Sequence, residues 1–293
     1  MKVGILSIIK NEHDYLDEWI QYHLDLGVDK IYIFEDVGSE SHSDICSKYD
    51  KVVLSSVLSL YDESYRDELT RIKINHIDRF GCQVKFFKDA LDYIKANDDL
   101  DWVSYIDTDE FITLADDDDN LHDVVSYYKD YSLVILQWQN YNANGHIHKP
   151  AGSMIDNYTT KCILYAGRRM DARASCKLLF NMKYWDRHTV RCNMHIPSNN
   201  YNWCKTDFSQ RLEDAVYDKI YIRHYITKSL EEFCNKIFVR GQFCGSKNMS
   251  VFFAMNKEID RHSDAVKDIV NNYYDKFMSG ELKFIPVINN VVK

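Results

Sequence analysis

Trp102-Val103-Ser104-Tyr105-Ile106-Asp107-Thr108-Asp109-Glu110-Phe111 is the stretch that decides how the rest of this chain is read. A largely apolar, β-favouring run passes directly into three carboxylates within four positions. The run reads as a strand buried on both faces. Asp107-Thr108-Asp109 then leaves the sheet on a turn. Two carboxylates spaced two residues apart at such a place can hold a divalent cation while the cation grips a diphosphate. Mg²⁺ and Mn²⁺ favour one or two carboxylates plus phosphate oxygens over a cage made only of protein. The competing reading is a surface turn held by Asx bonding, and only the buried strand before the turn argues against it.

Working outward, Val3 to Ile9 is a second apolar run, ending in Lys10-Asn11-Glu12. Leu16, Ile20 and Leu24 at a spacing of four, with Trp19 beside them, predict a helix closed by Gly27. Ile31 to Phe34 and Val52 to Val57 read as further strands, and residues 67–96 as mainly helical. Strand, helix, strand, helix, strand predicts an open, mostly parallel α/β sheet with helices on both faces. Ligands of such sheets bind beyond the carboxyl ends of the strands. Asn11, Glu12 and Asp36 therefore join Asp107 and Asp109 around one expected crevice, the first three at the base and ribose end of a nucleotide. Asn11 is equally explained as a helix cap, as is Asp14. Neither early strand is followed by G-x-G-x-x-G or a P-loop, which disfavours dinucleotide and NTPase readings.

Beyond residue 115, Leu133 to Gln139, Cys176 to Phe180, Val190 to His195 and Lys219 to His224 read as strands, and the final third as helical. Ser229 and Glu232 form a capping box ahead of Phe233 and Ile237. The acidic run Asp116 to Asp119 reads as a solvated loop. With 3 prolines and 10 glycines in 293 residues there is no Pro/Gly linker, which favours one compact domain. The expected division is 1–245, made of a nucleotide-binding half (1–115) and an acceptor half (116–245), plus a helical extension over 246–293. A net charge of −9 disfavours nucleic acid as a partner. The 8 cysteines form no C-x-x-C and read as reduced thiols. No stretch approaches 18 apolar residues and the start carries no signal-peptide pattern, so a cytoplasmic protein without a transmembrane segment is expected, with peripheral membrane association left open.

The motifs taken together resemble the glycosyltransferases of family 92. Lys10-Asn11-Glu12, Tyr15-Leu16, Glu18-Trp19, Tyr22-His23, Gly27 and Glu35-Asp36 resemble the family's opening, and Trp102 to Phe111 its metal-binding strand. Trp138, Tyr141, Gly145 and His146 resemble a central segment, with Tyr141 for the usual aromatic and Asn142 where Gly is usual. Lys177 and His195 match a later Lys…His pair, and His224-Tyr225, Lys228-Ser229, Glu232-Phe233, Lys236 and Arg240-Gly241 a C-terminal block. The likeness spans roughly residues 5–245, in consistent order.

The resemblance implies a GT-A fold, a nucleotide-sugar donor (UDP-linked in known relatives), a glycan or glycoconjugate acceptor, Mn²⁺ or Mg²⁺, and inversion. It implies Asp109 as the direct metal ligand, with Asp107 on the ribose or on the metal through water. His195 and His224 are the candidate further ligands, each also readable as a hydrogen-bonded structural histidine. Lys177 and Lys228 are candidate donor contacts, and the basic stretch Arg168-Arg169, Arg173, Lys177 a candidate anion clamp. Asp207 is the candidate base for the acceptor hydroxyl, and Glu110 the alternative. Two other readings compete: a sugar nucleotidyltransferase and a degenerate protein that binds nucleotide or carbohydrate without turnover.

Overall fold

The computed structural model describes residues 1–74, 79–117, 119–162, 164–165, 168–169, 176–186, 219–239 and 249–281. Its strands are β1 (Val3–Ile9), β2 (Lys30–Glu35), β3 (Val52–Ser56), β4 (Trp102–Tyr105), β5 (Glu110–Leu114), β6 (Leu133–Tyr141), β7 (Lys161–Cys162), β8 (Leu164–Tyr165), β9 (Arg168–Arg169), β10 (Cys176–Asn181) and β11 (Ile220–His224). Its helices are α1 (His13–Asp25), α2 (Ser43–Cys46), α3 (Glu63–Ile74), α4 (Arg79–Asn97), α5 (Leu121–Tyr127), α6 (Met154–Asn157), α7 (Leu230–Cys234), α8 (Met249–Met255) and α9 (Asp264–Met278). Two compact units result, one of Met1–Trp138 and Asp171–Ile222, the other of Gln139–Met170 and Arg223–Lys293.

The main sheet runs β3-β2-β1-β4-β10-β6-β11-β5, with β7 beside the end of β6. Its first half is parallel, as expected: Ile5 lies opposite Ile31 and Ile33 opposite Leu54, and Leu6 opposite Tyr105. From β4 onward the described pairings turn antiparallel, Ser104 facing Leu179 and Leu178 facing Ile135. The sheet is thus mixed α/β, in agreement with the GT-A expectation, with its parallel character concentrated in the first unit's N-terminal half.

Period-two alternation explains why both faces of β1, β2 and β4 are dry, while the edge strand β3 is only half-buried. Leu6, Tyr32, Phe34, Val103 and Tyr105 pack on one face with Phe86, Phe87, Ala90, Leu91 and Ile94 of α4. Ile5, Ile31 and Ile33, one residue out of step, are also fully buried. The near-continuous apolar runs of β1 and β2 follow from this double coverage. Gly27 closes α1 at φ 107°, a left-handed position that only glycine adopts at little cost. In the second unit α7, α8 and α9 share a core that includes Phe233, Phe252, Val266 and Ile269. The capping box of Ser229 and Glu232 forms as expected, and Tyr158 Oη adds a bond to Glu232 Oε2 at 2.5 Å.

Four strands, the two-residue β7, β8 and β9 and the longer β5, have no counterpart among the strands expected from the sequence, and of these β5 bears on the site. It lies at the end of the sheet order, and α1 meets its outer backbone with side chains. Trp19 Nε1 donates to Glu110 O at 2.7 Å and Tyr22 Oη to Ile112 O at 2.9 Å, while Ile112 N donates to His23 Nε2 at 3.1 Å. His23 Nδ1 donates to Trp19 O at 2.8 Å, which fixes the tautomer. Both ring nitrogens are thereby committed in the neutral form, and burial pushes the His23 pKa down to about 3.

An unfolded His23 gains its proton near 6.5 whereas the folded one resists it down to about 3. The contribution of the neutral ring is therefore complete above about pH 6.5 and is lost as pH falls toward 3, at about 1.4 kcal/mol per pH unit. Urea unfolding between pH 7 and 4 is expected to show His23→Gln less stable than wild type at pH 7 but with an acid slope shallower by about one proton. Equal slopes in the two proteins would remove His23 from the acid lability.

Candidate functional site

The turn after β4 is assembled around one buried ammonium. Cys176, Leu178 and Phe180 of β10 belong to the core with α4, and Lys177 is the charged residue set between them in this buried strand. Its side chain is 1% exposed. Its Nζ lies 2.9 Å from Asp107 Oδ2, 3.3 Å from Glu110 Oε2 and 4.0 Å from the centre of the Tyr105 ring. Tyr105 Oη donates to Asp107 Oδ1 at 3.0 Å, and Asp107 N donates to Glu110 Oε2 at 2.9 Å. The turn is closed by its own carboxylate and held from below by the lysine.

Electrostatics follow from this packing. Burial alone would lower the Lys177 pKa, but Asp107 and Glu110 outweigh it and hold the ammonium well above the ordinary lysine range. Burial pushes the Glu110 carboxyl up to about 8, with Lys177 pulling it down and Asp107 and Asp109 pushing it further up. Burial, then Asp107, keeps the Tyr105 phenol protonated and hence a donor. Asp107 presents 44% of its side chain to solvent, Asp109 is buried and Glu110 wholly so. Hard oxygen donors two residues apart, one of them half-exposed, fit a small divalent cation that completes its shell with phosphate and water oxygens. Among the described residues no third histidine, cysteine or carboxylate completes a metal cluster with them.

At the ends of β1 and β2 the two following loops are tied to one another. Asp36 N donates to Ile9 O, Lys10 Nζ to Val37 O, Asn11 N to Ser39 Oγ and Glu40 N to Asn11 Oδ1, at 2.8–3.2 Å. Asn11 takes the left-handed φ of 53° that this path needs. Its side chain does not cap α1, whose N-cap residue is Glu12 without a side-chain cap bond. Asp36 Oδ1 accepts from Val37 N. His42, a residue the sequence reading passed over, has a fully buried side chain. It accepts from Glu12 N at Nε2 (3.0 Å) and donates from Nδ1 to Glu35 Oε1 (3.1 Å).

In the second unit, blocks far apart in sequence come together. Tyr141 stacks on Tyr225 with ring centres 5.0 Å apart, and His146 meets Tyr158 edge-on. Leu230 N donates to His146 O at 3.2 Å. His224 is buried at the end of β11. Lys228 is half-buried between buried Thr227 and Ser229 and has φ 52°, a strained conformation for lysine. Arg168 and Arg169 form β9, paired with β8. Arg173, His195 and Asp207 lie outside the described residues. Among the described residues no helix is long and apolar enough to cross a membrane.

The model of glycosyltransferase family 92 matches residues 6–264, and the chain belongs to that family. No curated protein sequence matches the chain. Similar solved structures include glucosyl-3-phosphoglycerate synthase from Mycobacterium tuberculosis in complex with Mn²⁺, UDP and phosphoglyceric acid, at 15% identity and a TM-score of 0.29. That match covers 47% of this chain and 43% of the synthase, less than half the length of either. HddC from Yersinia pseudotuberculosis is similar at 10% identity over 76% of this chain and 89% of its own, with a TM-score of 0.33. A197 from STIV matches at 8% identity over 77% and 82%, with a TM-score of 0.28. Superpositions below 0.5 add nothing to the family assignment.

Removing Lys177 leaves Glu110 buried without its cation. Lys177→Met is expected to lose about 3–5 kcal/mol of stability, the usual cost of breaking a buried ion pair from one side. Lys177→Met with Glu110→Gln removes both partners and is expected to recover a substantial part of that loss. Urea unfolding of wild type, the two single variants and the double variant at pH 9, above the Glu110 pKa of about 8 so that the carboxylate is ionised, yields the coupling energy. Strict additivity would show that the two groups do not act on each other.

Proposed function

We propose that the chain moves a sugar from a nucleotide-sugar donor, UDP-linked as the family resemblance implies, to a hydroxyl of a glycan or glycoconjugate, with inversion. The observation that supports this most directly is the Asp107–Asp109 turn. It offers two carboxylates at the carboxyl end of the parallel half, on a scaffold made rigid by Lys177 and Glu110. Asp107 and Asp109 would hold Mn²⁺ or Mg²⁺, which when bound supplies positive charge against the diphosphate.

In this reading Glu12 and Asp36, half-buried at the ends of β1 and β2, face the nucleoside. Asn11 shapes the loop that carries Glu12. Glu110 is turned inward, toward Asp107 N and Lys177, so we give it the role of holding the turn rather than that of base. Lys177 likewise acts through Asp107 and Glu110 rather than by touching the donor. Asp207 is retained as the candidate base. His195 as metal ligand, His224 as the alternative ligand and Lys228 as a donor contact rest on the family resemblance alone. Chemically, the acceptor oxygen attacks the anomeric carbon from the face opposite the diphosphate. The bond from that carbon to the diphosphate oxygen breaks with its electron pair, and the base takes the hydroxyl proton.

A thermal-shift panel of UDP-, GDP-, TDP- and CMP-sugars, with and without Mn²⁺, tests the core of this reading. One nucleotide class, UDP, is expected to raise the melting temperature of wild type in a Mn²⁺-dependent way, and Asp109→Ala is expected to abolish the rise. Absence of any shift in wild type would overturn the donor reading. In the same assay His195→Ala and His224→Ala, titrated with Mn²⁺, separate the two histidines, since unchanged metal affinity strikes a residue from the ligand set.

A further inference from the structure

The loops after β1 and β2 hold together through many bonds, but one side chain joins their two strand ends from inside. His42 stands at the start of α2, and its ring is fully buried. Nε2 takes the Glu12 N–H at 3.0 Å, so this nitrogen is unprotonated and Nδ1 carries the hydrogen donated to Glu35 Oε1. The same Glu35 oxygen accepts His42 N at 2.6 Å, which fixes the backbone of His42 as well as its ring. His13 covers the ring from above, with centres 4.0 Å apart and planes 23° from parallel. His13 in turn donates from Nε2 to Ser41 O at 3.0 Å. Glu35, the last residue of β2, and Glu12, three residues past the end of the neighbouring β1, are thus joined through a single imidazole, in an orientation that allows no second tautomer.

We infer that His42 is a positioning residue for the nucleoside part of the donor: its imidazole, bridging Glu12 N and Glu35, holds the two loops in the shape that receives base and ribose. The inference rests on the donor reading given above and assigns within it a residue that never touches the ligand. Preformed loops spare a ligand the entropy of ordering them. Loss of the bridge should therefore appear as weaker binding of the nucleoside itself. Asp109, at the other end of the donor, should matter only to a ligand that carries phosphate.

Isothermal titration of UDP and of uridine, both at saturating Mn²⁺, reads this difference. His42→Ala is expected to weaken UDP and uridine by the same factor, at least tenfold. Asp109→Ala is expected to weaken UDP and leave uridine unchanged. His42→Gln, whose amide can accept from Glu12 N and donate to Glu35, should stay within about threefold of wild type for both ligands, the amide replacing one acceptor and one donor. Should His42→Ala lack a cooperative unfolding transition, His42→Asn replaces it. Its shorter amide can bond Glu35 but not reach Glu12 N, and it should show the same parallel loss. Wild-type affinity for both ligands in the Ala or Asn variant overturns the inference, as does a loss confined to UDP. If wild type binds UDP and only Asp109→Ala loses it, the donor reading stands and the role of His42 falls. If wild type binds neither UDP nor uridine, both fall together.

Discussion

An ammonium with 1% of its side chain exposed can stay charged inside a protein only if carboxylates surround it closely. Lys177 meets that condition at Asp107 and Glu110, and the rest of the site follows from it. Glu110 is too deeply buried to be tolerated as a lone anion, and it closes the turn by accepting Asp107 N. Asp107 has one oxygen on the lysine and the other on Tyr105, yet nearly half its side chain still faces solvent. A turn built this way is held in shape by the protein's own groups. Preorganised charge of this kind does not have to be reorganised during the reaction.

A turn is only as fixed as the strands on either side of it. β4 sits in the middle of the sheet, between β1 and β10, and is held by both. β5 ends the sheet order, where a strand would ordinarily leave a row of backbone groups to water. Helix α1 supplies the missing partners from Trp19, Tyr22 and His23, each reaching Glu110 or Ile112. Residues on one helix face at i, i+3 and i+4 thus replace a strand. Trp19, Tyr22 and His23 of the family's opening acquire a physical reason here, since they hold the edge strand that follows the Asp107–Asp109 turn.

Much of this was legible in the sequence, because burial on both faces leaves apolar runs that only parallel central strands require. β1, β2, β3, β4, α1, α4 and the Ser229–Glu232 capping box lie where pattern and capping chemistry place them. Other features left weaker traces. β5 follows the Asp-x-Asp turn without a break, and its outer partners are side chains 90 residues away in sequence, a relation no local pattern encodes. In sequence Lys177 closes the basic stretch of Arg168, Arg169 and Arg173. Its flanks tell a different story: a lysine between Cys176 and Leu178-Leu179-Phe180 sits in an apolar strand, where a charge needs a buried partner. His42 offered no such trace, because its role arises only when two loop ends are brought side by side.

The polar residues at the strand ends divide into those that face outward and those that hold others in place. Asn11 gives its backbone N–H to Ser39 and its side-chain oxygen to Glu40 N, so its conformation serves the loop first. Glu35 is spent on His42, and Glu110 and Lys177 on Asp107. Each outward candidate, Glu12, Asp36 or Asp107, is flanked in sequence or in space by one of these inward partners. Limiting the freedom of the groups that meet a ligand favours its binding, because every rotamer fixed beforehand is entropy the ligand need not remove.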